Sequence, residues 1–268
     1  MKKHLYNYIL IVVELLLLAG IMVFLTMTVN SGNLAKDMIY VYPVSRVFMI
    51  ASTAVAFLFA LGYYIFKITG ANSKNADLSD NKKIKNERAD GVECVNTKSG
   101  KMHLILLFLL FATIADVFFN TLDDNTYGFI AFIAAYAVIG VILYRKKYEW
   151  ILRFGLIIFL LVGIYMVGRL KTVGFAIQVI ACAMLAANFI ILMINHFKYK
   201  NNYGSYFMTA MVLQLISDAA LFFRTVTMSM PVASNICSYI VWITYIAANV
   251  FFVFSFVSGT TPHKRKQF

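Results

Sequence analysis

Two aspartates stand in strongly apolar surroundings, Asp116 in "LLFATIADVFFN" and Asp218 in "VLQLISDAALFF". A pair of buried carboxyls can act as general acid and general base when one is neutral and the other ionised. The same pair could instead carry protons through a membrane. Helical spacing gives each acid polar neighbours. Thr113 and Asn120 share a face with Asp116, and Gln214 shares one with Asp218. Trp242, Tyr245 and Asn249 form a further stripe at three- and four-residue steps, and Tyr136, Gln178 and Asn188 lie in other apolar runs. Arg224, six residues past Asp218, suits an anionic group. The simpler reading of Gln178, Asn188 and Thr113 is hydrogen-bonded contact between helices. Glu14 is a third acid in an apolar run, with a basic neighbour as its expected partner.

The elements that must position these residues follow from composition. Hydrophobic residues make up 61% of the 268 and charged ones 13%, and the mean hydropathy is +0.77. A soluble domain has about 45–50% apolar and about 25% charged residues. The expected class is therefore all-α, a polytopic integral membrane protein with eight transmembrane helices in a single domain. A hydrocarbon core takes about 20 apolar residues per helix. Eight runs qualify: 5–29, 47–66, 102–122, 127–144, 150–168, 173–195, 205–224 and 236–257. The first is too long for the apolar region of a signal peptide and lacks a cleavage site, so it reads as an uncleaved span.

Charge sets the expected topology. With both termini in the cytoplasm, nineteen of the 24 basic residues fall inside, "RKK" at 145–147 and Arg153 among them, and five fall outside. The net charge of +12 is then topology plus attraction to anionic lipid, with no nucleic-acid partner implied. The cell (plasma) membrane is the expected location. On this reading nine of the twelve acids lie in loops, and the two aspartates sit at one depth on co-directional spans. That depth is about 20 Å from the cytoplasmic edge, so they could share a cavity. The segment 67–101 is rich in Lys, Asn and Asp and reads as a disordered loop. The three cysteines, Cys94, Cys182 and Cys237, suggest free thiols rather than a disulfide framework.

Several chemistries lack their residues. No lysine lies within the apolar runs, and the four histidines fall at span ends or in tails, so no intramembrane metal cluster is expected. Neither G-x-S-x-G nor H-E-x-x-H occurs.

The stretches "LLFATIADVFF", "YGFIAFIAAYAVIGVILY", "VLQLISDAALFF" and "ITYIAANVFF" together resemble the YhhN-like lysoplasmalogenase family of eight-span membrane hydrolases. The likeness is marked over 100–257 and rests on hydropathy alone in the first two spans. Position by position, Asp116 and Asp218 match the family's carboxylates, Ser217 the serine before the second, and Gly128 and Phe132 a span-four pattern. There are departures. Ala115 stands where the family has Gly, Tyr136 where it has His, and Asn249 where it has Gln. The family's Lys-Pro before span two is absent, and only Pro43 and Arg46 lie nearby.

The resemblance implies hydrolysis of the vinyl ether of a lysophospholipid or other ether lipid drawn from the bilayer, with Asp116 and Asp218 catalytic. Tyr136, Tyr245, Asn249, Asn120 and Ser217 would line the substrate, and Arg224 would hold phosphate. Acid/base chemistry of this kind needs no cofactor. Two other classes remain open, a proton-coupled transporter and a non-catalytic membrane module. The three prolines lie outside the eight runs, which disfavours a transporter built on broken helices.

Overall fold

Each apolar run must satisfy its own backbone polar groups, because hydrocarbon offers them no partner, and an α-helix does this within one segment. The computed structural model describes residues 3–30, 42–81, 102–121, 125–144, 146–166, 168, 172–199, 205–226 and 231–258. Among these residues there are eight helices and no strand. They are α1 (Lys3–Asn30), α2 (Tyr42–Asn81), α3 (Met102–Thr121), α4 (Thr126–Leu143), α5 (Tyr148–Met166), α6 (Val173–Tyr199), α7 (Ser205–Val226) and α8 (Pro231–Ser258). All eight are long and apolar enough to cross a membrane, as expected for a multi-pass protein.

Several boundaries differ from the sequence reading, and those of α2 and α5 matter most. α2 does not stop where its apolar run ends but continues to Asn81, into the segment expected as a loop. Once a helix is nucleated, each further residue adds a hydrogen bond at little cost, and no proline interrupts this stretch. Residues 82–101, with Cys94, lie outside the described residues. α5 begins at Tyr148 and so takes in Glu149, which is buried, as is Arg153 one turn on. It ends at Met166, where Gly168 adopts φ 68° and donates its N–H to the Tyr165 carbonyl at 2.8 Å. That left-handed turn is open to glycine at no steric cost. Pro43 and Pro231 fall in first turns of α2 and α8, where a missing N–H breaks no helical bond.

The helices form a closed circuit. α1 packs on α2, α2 on α3, α3 on α4, α4 on α6, α6 on α7, α7 on α8, and α8 returns to α1 while also touching α2 and α3. α5 lies against α6, and its outer face, with Ile151, Phe154, Ile158, Phe159 and Val162, is exposed as a lipid-facing surface would be. The main core joins Leu10, Ala56, Phe108, Ala112, Phe132, Ala135, Leu185, Met211, Phe252 and Val253. Its many alanines let backbones approach closely, the usual route to helix association where lipid removes the hydrophobic drive. Hydroxyls staple the circuit. Tyr6 on α1 donates to the Phe59 carbonyl on α2, and Tyr63 on α2 donates to the Val257 carbonyl on α8 at 3.1 Å.

Candidate functional site

α3 and α7 bring Asp116 and Asp218 into the bundle interior, 3% and 8% exposed. Each carboxyl is held by a tyrosine from a different helix. Tyr245 on α8 donates its hydroxyl to Asp116 Oδ2 at 3.0 Å. Tyr136 on α4 donates its hydroxyl to Asp218 Oδ2. Phe132 lies between the two tyrosines. Its ring stacks on Tyr136 with centroids 5.7 Å apart and an interplanar angle of 9°, and it meets Tyr245 edge-on at 6.1 Å. The two carboxyls therefore share one aromatic wall and lie within electrostatic range of each other.

The two acids are not dressed alike. Gln214, one turn before Asp218, donates from Nε2 to Asp218 Oδ1 at 3.0 Å and to the Tyr136 hydroxyl oxygen at 3.2 Å. Both Asp218 oxygens thus accept hydrogen bonds. Asp116 has Tyr245 on one oxygen, and the Thr53 side chain of α2 reaches its carboxyl. The Thr53 hydroxyl also lies 3.2 Å from the Ile50 carbonyl of its own helix.

Other residues expected at the site are distributed unevenly. Asn249 lies beside the Tyr245 hydroxyl, yet both its amide atoms are buried without a completed hydrogen bond. Asn120 donates to the Asp116 backbone carbonyl at 2.8 Å, so it braces the helix turn rather than the carboxyl. Ser217 donates to the Val241 carbonyl at 3.3 Å and ties α7 to α8. It adjoins Asp218 in sequence, but one residue turns a helix by about 100°. Arg224 stands in the last turn of α7, about 9 Å beyond Asp218 along the axis. Thr113 bonds to the Leu109 and Thr53 carbonyls at 2.8 and 3.3 Å, a contact between helices as expected.

Glu14 departs from expectation. Its partner is a hydroxyl rather than a basic side chain, since Ser52 donates to Glu14 Oε2 at 2.6 Å. Glu14 faces α2, which presents Ser52 to it.

A second buried polar cluster escaped the sequence reading. Arg153, 1% exposed, donates from Nε to Asn188 Oδ1 at 2.8 Å and from Nη2 to the Gly140 carbonyl at 3.2 Å. Its guanidinium lies 4.7 Å from the Trp150 ring centroid. Asn188 passes the connection on, donating to the Tyr136 carbonyl at 2.8 Å. Asn195 donates to the Leu143 carbonyl and to Glu149 Oε1, each at 3.4 Å. Gly140 and Leu143 belong to the last turn of α4, whose carbonyls lack helical partners, so α5 and α6 cap α4 from outside. The cluster was legible as two polar pairs, Glu149 with Arg153 and Asn188 with Asn195, at spacings of four and seven. Adjacent "RKK" made the first pair look like loop charge.

Among the described residues no group of three or more His, Cys, Asp or Glu could hold a metal ion. Cys182 and Cys237 are free thiols. Comparison with known proteins finds no matching family model, no matching curated protein and no matching solved structure.

Proposed function

We propose that this chain is a membrane-embedded hydrolase of lysoplasmalogenase type, cleaving the vinyl ether of a single-chain lipid with Asp116 as acid and Asp218 as base. The observation that carries the reading is the asymmetric pair: two buried carboxyls behind one aromatic wall, hydrogen-bonded in different ways. Asp218, with both oxygens accepting, suits the ionised form, because donors favour the charged carboxylate. Asp116 has one oxygen held by the Tyr245 hydroxyl at 3.0 Å, is the less fully hydrogen-bonded of the two as an anion, and is the one we assign the neutral form.

The proton balance closes on these two groups. Asp116 gives its proton to the vinyl carbon β to the ether oxygen, the one that carries the alkyl chain, leaving an oxocarbenium ion. Water adds to that ion and yields a proton to Asp218, forming a hemiacetal. The hemiacetal collapses as Asp218 returns its proton to the ether oxygen and Asp116 takes the hydroxyl proton. A fatty aldehyde and the glycerol alcohol leave, and both acids are back in their starting states. The Asp218 carboxylate also stabilises the cation in a dry, low-dielectric site, where such charge pairing is most effective. Phe132, Tyr136 and Tyr245 would border the reacting carbons, and Arg224, toward the outer rim, would take the phosphate. The distribution of basic residues supports both termini in the cytoplasm, and the plasma membrane is the location we propose.

The test is release of free aldehyde from a lysoplasmalogen, with an ordinary ester lysolipid as control. Asp116→Asn and Asp218→Asn should insert and melt like the parent yet release none. Variants that lose only stability would identify a non-catalytic membrane module. A further buried acid within an apolar run, Glu14, favours a proton-coupled carrier as second reading. Solute uptake by proteoliposomes that Asp116→Asn abolishes would establish it.

A further inference from the structure

Arg153 has no part in the proposed chemistry, and a guanidinium so placed needs a reason. It lies on α5 and is 1% exposed, in a helix apolar enough to cross a membrane. An ionisable side chain there is costly, and such groups are kept where their partners matter to function. Its hydrogen bonds lead to the carboxyl pair. Nε donates to Asn188 Oδ1 at 2.8 Å, and Nη2 donates to the Gly140 carbonyl at 3.2 Å. Asn188, on α6 and fully buried, donates from Nδ2 to the Tyr136 carbonyl at 2.8 Å. Tyr136 in turn donates its hydroxyl to Asp218. Hydrogen bonds thus run unbroken from α5 through α6 and α4 to the carboxyl on α7.

The donors and acceptors make this connection directional. A carboxamide has an acceptor at one end and donors at the other, and either end can face a neighbour. A guanidinium only donates, so beside Arg153 the Asn188 oxygen must turn to α5, which leaves Nδ2 for α4. With the amide reversed, Oδ1 would meet the Tyr136 carbonyl oxygen, acceptor against acceptor. Arg153 therefore fixes which end of Asn188 the Tyr136 backbone meets. Tyr136 and Gly140 are four residues apart, on one face of α4, so the Arg153–Asn188 unit holds two successive turns of that helix. Glycine at 140 lets the unit come close: a Cβ there would stand 3.3 Å from Arg153 Nε and 3.5 Å from Asn188 Oδ1. The Tyr136 ring is held separately, by its stack on Phe132 at 5.7 Å. Backbone and ring together set where the hydroxyl meets Asp218.

We infer that Arg153 and Asn188 are positioning residues for the base: they set the Tyr136 hydroxyl against Asp218 and act on the reaction only through it. The inference deepens the hydrolase reading and rests on it for turnover as a readout. Asn195 supplies the contrast. It lies on α6 seven residues after Asn188, and it bonds to the α4 carbonyl of Leu143 and to Glu149 on α5, each at 3.4 Å. It joins the same three helices by longer bonds, neither of which reaches Tyr136. Contact between helices in general would suffer from the loss of either asparagine. The placement of Tyr136 would suffer from the loss of Asn188 alone.

The full chain in nanodiscs is assayed for aldehyde release from a lysoplasmalogen as Asn188→Leu, Arg153→Gln and Asn195→Leu, each alone and combined with Tyr136→Phe. Asn188→Leu and Arg153→Gln should each lower kcat about tenfold with KM little changed, since a misplacement of about 1 Å can cost about 100-fold and a partial one less. Combined with Tyr136→Phe they should cost no more than about a further twofold, because without the hydroxyl there is nothing left to position. Asn195→Leu should keep the parent's kcat. If one of the first two variants does not fold, the other decides alone. A loss that persists undiminished beside Tyr136→Phe, an equal loss in Asn195→Leu, or no loss in either variant overturns the inference. Tyrosine isotopically labelled at Cζ gives an NMR readout that needs no turnover, with the Tyr136 resonance assigned by its absence in Tyr136→Phe. That resonance should move in Asn188→Leu and stay in Asn195→Leu. A parent that releases no aldehyde removes the hydrolase; the resonance moving as expected then supports the positioning of Tyr136, and an unmoved resonance overturns that too.

Discussion

The sharpest test of the acid/base assignment is Tyr136→Phe, which removes a single oxygen atom. The Phe132 stack at 5.7 Å depends on the ring and persists. So does the Asn188 bond to the Tyr136 backbone carbonyl at 2.8 Å. What disappears is the hydroxyl donation to Asp218 Oδ2 and the acceptor for one Gln214 proton. A hydrogen bond to an ionised group contributes about 1.5–3 kcal/mol. If Asp218 must stay ionised while cationic character develops on the substrate, that loss falls on the transition state. Since about 1.4 kcal/mol is a factor of ten, kcat should drop by about 10- to 150-fold, with KM little changed. Tyr245→Phe removes the donor from Asp116, which acts as the neutral partner. A bond between neutral groups contributes about 0.5–1.5 kcal/mol, so the expected drop is about 2- to 13-fold. Both variants are assayed in nanodiscs by coupling aldehyde release to a dehydrogenase, with thermal unfolding run in parallel. Equal losses in the two variants, or a larger loss in Tyr245→Phe, would refute the assignment of base and acid. An undiminished kcat in Tyr136→Phe would refute the role of Asp218 altogether.

Other expectations follow from packing and topology. A Cβ at Gly128 would lie 2.9 Å from three atoms of Phe119, whose ring packs on Phe129 and Phe132. Gly128→Ala should therefore destabilise by about 1–3 kcal/mol through overpacking, read as a lower melting temperature in detergent. Arg153→Leu would leave Asn188 Oδ1 and the Gly140 carbonyl buried without their donor, for a loss of about 2–5 kcal/mol. Asn188→Leu on top of Arg153→Leu should add less than its own single effect, a shortfall that a double-mutant cycle on unfolding midpoints would measure. In a background without native cysteines, a cysteine replacing Lys171 should react with an impermeant maleimide on intact cells. One replacing Lys146 should react only after permeabilisation, and the reverse pattern would invert the topology drawn from the basic residues.

What the sequence discloses about this molecule follows the reach of its periodicities. Length and hydropathy locate every helix, because each crossing-length apolar run must close its own hydrogen bonds. The common depth of Asp116 and Asp218 is equally legible, since rise per residue converts position into height. Rotation about each helix axis is a different matter. It depends on how eight surfaces fit together, and no single run contains it. Tyr136 could be placed on α4 but not aimed at Asp218, and Ser217 turns to the α8 backbone despite its place beside an acid.

Charge misleads for a related reason. From sequence, Glu149 reads as loop and Arg153 as one of the cytoplasmic-side basic residues, because hydropathy cannot distinguish a snorkelling end residue from one turned inward. Their burial is decided by Gly140, whose missing side chain leaves the guanidinium room; a Cβ there would stand 3.3 Å from Arg153 Nε. Glu14 obeys the same logic. A carboxyl in an apolar run suggests a cation to neutralise it, yet α2 brings Ser52 to one oxygen, and among the described residues the other accepts no hydrogen bond.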